Sequence, residues 1–88
     1  MKKNGFFTCY LRRDLYFAPS GEWLKTTTEL HTNDLPEMVK QRLITDYAAY
    51  HIDEAKHIEE PTVSYYLVEM EQNDRDSYVK ITADGTVL

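Results

Sequence analysis

Cysteine occurs once in this 88-residue chain, at Cys9, so no disulfide can close within it and cysteine usage is silent on the redox compartment. Glycine occurs three times, at Gly5, Gly21 and Gly85, which excludes a glycine-rich phosphate loop. Basic residues are scarce: 10 Lys and Arg stand against 15 Asp and Glu, for a net charge of −5. Arg12-Arg13 is the one basic cluster, so a nucleic acid or an anionic membrane surface is excluded as the natural partner. No apolar run is long enough to span a bilayer, and neither HExxH nor CxxC occurs.

What is present is apolar and aromatic. Hydrophobic residues make up 42%, with seven tyrosines, three phenylalanines and one tryptophan, enough for one small domain with an aromatic core or surface. The opening "MKKNGFFTCYLRRD" has the lysines of an export signal. Its apolar stretch is short, lacks a small-residue cleavage site and runs into Arg12-Arg13, so it reads as a strand.

Along the chain, Gly5 to Leu11 is bulky and β-favouring, "RRD" interrupts it and "LYFA" resumes, which predicts a tight hairpin. Pro19-Ser20-Gly21 predicts a turn into "EWLKTTTEL", whose three β-branched threonines favour a strand. A helix is predicted from Asp34 to Tyr50. Asp34 and Glu37 have capping-box spacing, and Leu35, Val39, Leu43, Tyr47 and Tyr50 form an apolar stripe. "DEAKHIEE" is open between a last helical turn and a short strand. "VSYYLVEME" and "SYVKIT" read as strands about a polar turn at "QNDRD", and "ADG" turns into "TVL". Aligning Gly21 with Gly85 pairs Leu15 with Val79, Phe17 with Ile81, Trp23 with Val87 and Leu24 with Leu88. The expected fold is α+β: an antiparallel sheet with one long helix across one face, written as a βββ-α-βββ pseudo-repeat. Residues 1–30 would be a partial first copy, and 31–88 the helix plus three strands.

Catalytic and metal chemistry finds no footing. His51 and His57 are six apart, off any common helical face, and His31 is distant. Asp74 and Asp76 in "NDRDSY" lack the glycine and closing glutamate of a calcium loop. Cys9 sits among apolar residues with nothing to lower its pKa. The expectation is a non-enzyme without metal or cofactor.

The tyrosines are different. Alternation sets Tyr65 and Leu67 opposite Tyr66, Val68 and Met70, Tyr78 opposite Val79 and Ile81, and Tyr16 opposite Leu15 and Phe17. One helix covers one face only. The other would collect Tyr10, Tyr16, Tyr65, Leu67 and Tyr78, with Phe6 and Trp23 as further candidates, and aromatic amphipaths of this kind anchor protein interfaces.

"LPEMV" opening the helix, "IEE" after it, "YYLVEM" and "ITADGTVL" together resemble the PepSY-like family. More narrowly they resemble the small exported, β-lactamase-inhibitor-like proteins of Bacteroides-type bacteria. "LYFAPSGEWL" is similar to the same hairpin from a preceding copy without its helix. The resemblance implies a single PepSY-like domain, a sheet crossed by a helix, a periplasmic or exported location and a role in binding or inhibiting proteins. The sequence departs from that pattern in having no recognisable signal peptide and no helix in its first copy. The resulting expectation is an exported binding module that contacts a protein partner through the aromatic face. The alternatives are an envelope domain that self-associates through the same face, and a small-molecule- or calcium-responsive periplasmic protein.

Overall fold

The computed structural model describes residues 10–88, with side chains from residue 12 onward. The expected strand positions Gly5 to Cys9, and the faces assigned to Phe6, Thr8, Cys9, Tyr10 and Leu11, lie outside those described backbones or side chains. The elements are β1 (Tyr10–Phe17), β2 (Trp23–Leu30), a 3-10 turn (Thr32–Asp34), α1 (Glu37–Asp46), β3 (His51–Glu59), β4 (Ser64–Gln72) and β5 (Arg75–Ile81). The strands form one five-stranded sheet in the order β1-β2-β3-β4-β5, with every neighbour antiparallel. The fold is α+β, with one helix on the sheet.

The hairpin expected at "RRD" does not form. Arg12, Arg13 and Asp14 stay in the ladder opposite Glu29, Thr28 and Thr27, and Arg12 pairs with Asp14 at 3.1 Å. β1 is an edge strand of the described sheet, and charge on an edge strand protects it from unwanted pairing without ending it. The one irregularity near it is a bulge between Tyr10 and Arg12, just before the charged residues. "DEAKHIEE" is also settled: it lies in the central strand β3, hydrogen-bonded on both sides.

The helix is shorter than the stripe that predicts it, ten residues instead of Asp34 to Tyr50. Asp34 closes the 3-10 turn and does not cap α1; Pro36 holds the cap position without a side-chain hydrogen bond. The cause is local. Leu35 precedes proline and is extended, with φ −69° and ψ 149°, which separates Asp34 from the helix. At the other end Tyr47 leaves helical geometry while its N–H still donates to the Leu43 carbonyl at 3.0 Å. Tyr47 and Tyr50 then meet edge to face, 5.9 Å between ring centres.

Of the βββ-α-βββ repeat, the described residues carry ββ-α-βββ, with Val87 joined to Ile81 by an isolated bridge instead of a sixth strand. The hairpin within the repeat is nevertheless duplicated. Ala18 N–H donates to the Glu22 carbonyl and Gly21 N–H to the Ala18 carbonyl; Thr82 donates to Thr86 and Gly85 to Thr82 in the same way. Phe17 faces Trp23 as Ile81 faces Val87. Gly21 and Gly85 both take positive φ, +94° and +92°, the region in which glycine alone is unstrained. The β4–β5 turn is a different one: Asn73 and Asp74, at φ 55° and 65°, join the strands in two residues.

Val39 and Leu43 of α1, with Leu35 before it, pack on Ala55, Val68, Met70, Val79 and Ile81. Leu30, Tyr47, Tyr50, Ile52 and Tyr66 fill the rim. The core therefore lies between α1 and the β3–β5 half of the sheet.

Candidate functional site

Antiparallel register lines up side chains across the strands, so a face is a set of rows. Ala55, Val68 and Val79 form one row beneath the helix. One residue along, Glu29, Lys56, Leu67 and Lys80 form a row on the opposite side, flanked by Thr27, Ile58 and Tyr65 and by Glu54, Glu69 and Tyr78. Tyr16 stands opposite Lys25 at the β1 end of the same side. Tyr16, Tyr65, Leu67 and Tyr78 are thus together on the face away from α1. Tyr10 begins β1, and its side chain is outside the described set. Trp23 is a correction: it pairs with Phe17 and its indole Nε1 donates to Thr26 Oγ1 at 2.9 Å, which puts it on the helix side.

Sequence reasoning missed the charges between these tyrosines. Lys25 Nζ lies 5.0 Å from the Tyr16 ring centre and Lys80 Nζ 5.1 Å from that of Tyr65, so apolar lysine stems and cationic heads border the aromatic rings. It also missed Ile58, buried although no second layer among the described residues covers this face. Ile52 and Ile58 share parity in "HIDEAKHIEE", yet the bulge between Ile52 and Glu54 puts Ile52 at the core and Ile58 on the other face, so only its pairing with Thr27 and Tyr65 reveals its place. A hollow of about 230 Å³ lies over this part of the face, with Tyr16, Lys25, Lys56, Ile58 and Leu67 in its wall. A larger groove of about 810 Å³ follows the β5 edge past Tyr47, Tyr50, Val63, Tyr78 and Leu88. Its walls draw on both faces, so it marks the edge and not the open face.

The electrostatics of the face are mixed. A hydrogen bond with Glu54 raises the Glu29 carboxyl above its ordinary pKa, helped by burial and by the Glu54 charge, while Lys56 and Arg12 oppose the shift. Burial raises the Tyr65 phenol, with Glu60 adding to it; the Tyr65 hydroxyl donates to Glu60 Oε2 at 3.3 Å.

The histidines do not converge. His51 lies 3.5 Å from Asp53, while His57 stacks on Tyr66 at 4.6 Å on the helix side. Among the described residues no three His, Cys, Asp or Glu side chains group to hold a metal ion. No helix among them is long and apolar enough to cross a membrane. What the arrangement offers chemically is phenol hydroxyls, ring faces and neighbouring charges side by side on one face of a sheet.

Several solved structures share this fold. A BLIP-like protein from Bacteroides fragilis superposes with a TM-score of 0.81 at 25% identity, covering 86% of this chain and 56% of that one. A DUF2874 family protein from Bacteroides ovatus gives 0.79 at 21% identity, over 86% and 57%, and another from Bacteroides uniformis 0.80 at 15%, over 86% and 59%. A candidate periplasmic protein from Bacteroides eggerthii gives 0.79 at 15%, over 86% and 58%. This chain therefore spans 56–59% of the length of these proteins. No protein-family profile matches it, and neither does any curated protein. The structures support a likeness to BLIP-like proteins of Bacteroides, whereas a PepSY kinship is not shown by them.

Proposed function

We propose that this domain is an exported, non-enzymatic binding or inhibitor-like module that contacts a protein partner through the open sheet face. The observation that carries the reading is the shared placement of Tyr16, Tyr65, Leu67 and Tyr78 on the side that α1 leaves uncovered. Tyrosine suits such a surface because it brings large contact area at low rotamer cost together with a polar tip. Lysine and glutamate between the rings supply the charge pattern that fixes register with a partner. The BLIP-like neighbour supports protein binding, and the candidate periplasmic neighbour supports export. Kinship with PepSY-like domains, suggested by "LPEMV" and "ITADGTVL", belongs to the same reading.

The test uses Tyr16→Ser with Tyr78→Ser, because these two rings are the most exposed on the face, 43% and 62%, and their loss should hardly move the folding midpoint. Wild type and double variant are used to capture proteins from a periplasmic extract, and both are examined by sedimentation. A protein retained by wild type and lost by the folded variant supports the reading. Equal capture by both forms overturns it. A wild-type dimer that dissociates in the variant would assign the face to self-association.

A further inference from the structure

The open face is not flat. On β2 the short Thr27 lies between Lys25 and Glu29, two residues to either side, and Tyr16 and Arg12 stand opposite those two on β1. Four long side chains thus surround a short one, and the hollow of about 230 Å³ is the space that Thr27 leaves. Ile58, opposite Thr27 and buried, gives it an apolar side together with Leu67. Small-ligand clefts run to about 300–1,000 Å³, so a hollow of this size suits a single side chain.

The charges in its wall do not cancel. Arg12 is held by Asp14 at 3.1 Å. Register sets Glu29 opposite Lys56, yet the Glu29 carboxyl shares a hydrogen bond with Glu54 instead. Among the described residues neither Lys25 nor Lys56 forms an ion pair or a side-chain hydrogen bond, and both are half-buried. Lys25 does lie over the Tyr16 ring at 5.0 Å, but a ring face engages only part of an ammonium group with three donors. Two half-buried cations with donors to spare therefore border an apolar floor, in a chain whose net charge is −5. Residues 1–9 contain Lys2 and Lys3 but no acidic residue, so that stretch brings no carboxylate to the hollow.

We infer that the protein partner places one acidic side chain in this hollow, its carboxylate between Lys25 and Lys56 and its stem on Ile58 and Leu67, which rests on the open face being the contact surface. Covered by the partner, each ammonium–carboxylate contact becomes a charge-assisted hydrogen bond screened from water. Tyr16 walls the same hollow, so an aromatic anchor and a charged one are neighbours. A single acidic side chain seated there sets which way round the partner lies across the tyrosines.

The probe is the peptide acetyl-Leu-Glu-Leu-amide, with its Gln counterpart as control, titrated into the isotope-labelled intact chain and followed by amide NMR. Saturable shifts at Thr27, Ile58 and Leu67 are expected with the Glu peptide. The Gln peptide should bind about tenfold more weakly, the worth of one hydrogen bond to a charged group. Lys25→Met and Lys56→Met keep the apolar stem and should each weaken the Glu peptide by a similar factor, whereas Lys40→Met on α1 should leave it unchanged. Thermal melts check that the variants fold, and should one unfold, the other is judged by the same criterion. No saturable shift at about 20 mM peptide, well above the millimolar affinity expected of one side chain, overturns the inference; a hollow filled by the chain itself would give that result. Equal binding of the Glu and Gln peptides overturns it too. Protein capture that depends on Tyr16 and Tyr78 but not on Lys25 and Lys56 would overturn the acidic anchor and spare the contact surface. Capture independent of all four would overturn both.

Discussion

The two copies of the hairpin provide a controlled comparison of buried and bare. Ile81 and Phe17 occupy equivalent strand positions before the same turn, yet one is fully buried and the other 55% exposed. Ile81→Ala removes three buried carbons, about 2.4 kcal/mol by transfer, and the void under α1 raises the cost toward 4 kcal/mol where it fails to collapse. Val39 and Val68, both wholly buried in the same cluster, leave little room for collapse, which favours the upper half of that range. Phe17→Ala removes more carbon but less buried area, and forfeits about 1 kcal/mol. The assay is urea unfolding followed by far-UV circular dichroism. With a slope of about 1.5 kcal/mol per molar urea, the two midpoints should differ by roughly 1.5–2 M, Ile81→Ala being the lower. Equal midpoints, or a lower one for Phe17→Ala, would refute the placement of the core over β3–β5.

Three further outcomes can be checked by the same kind of measurement. Gly85→Asn should cost about 1 kcal/mol or more beyond Gly21→Asn, because both strain a positive φ but only Gly85 lies against the Met38 carbonyl; thermal melts of the pair decide it. Glu29 has a raised pKa in the fold, so its favourable contribution is present below the ordinary glutamate range and lost as pH rises through the elevated value. Glu54→Gln should therefore melt higher than wild type at neutral pH, with the advantage disappearing on acidification through that value. Asp84 behaves oppositely: hydrogen bonds from Thr82 and Thr86 lower its pKa, so its contribution is present above the ordinary aspartate range and lost as pH falls through the depressed value. Asp84→Ala should lower the melting temperature at neutral pH but hardly at strongly acidic pH.

The open face was legible from alternation alone, because the side-chain period of a strand is two whatever its neighbours are. Tyr16, Tyr65, Leu67 and Tyr78 needed only a strand assignment to fall on one side. Trp23 was misplaced for a specific reason. The register shift between Tyr16 and Phe17 breaks the period, and a bulge depends on both strands of a pair. The lysines over the tyrosine rings and the Glu29–Glu54 contact were likewise invisible, since each joins residues on different strands.

The sequence by itself determined what depends on neighbours a few residues away: the β character of "SYYLVEME" and "SYVKIT", the apolar stripe of α1, and the positive φ of Gly21 and Gly85, set by the turns in which they lie. Only the tertiary structure decided that "RRD" stays in a strand, that "DEAKHIEE" is central to the sheet and that α1 stops after ten residues. A charged segment holds an extended conformation when a partner strand satisfies its backbone, and a helix ends where packing its flanking tyrosines against the core outweighs another turn. The tertiary structure also decided which half of the helix-side face is buried. Leu15 and Val79 are equally apolar to a reader of the sequence, and they differ because α1 lies over only one of them.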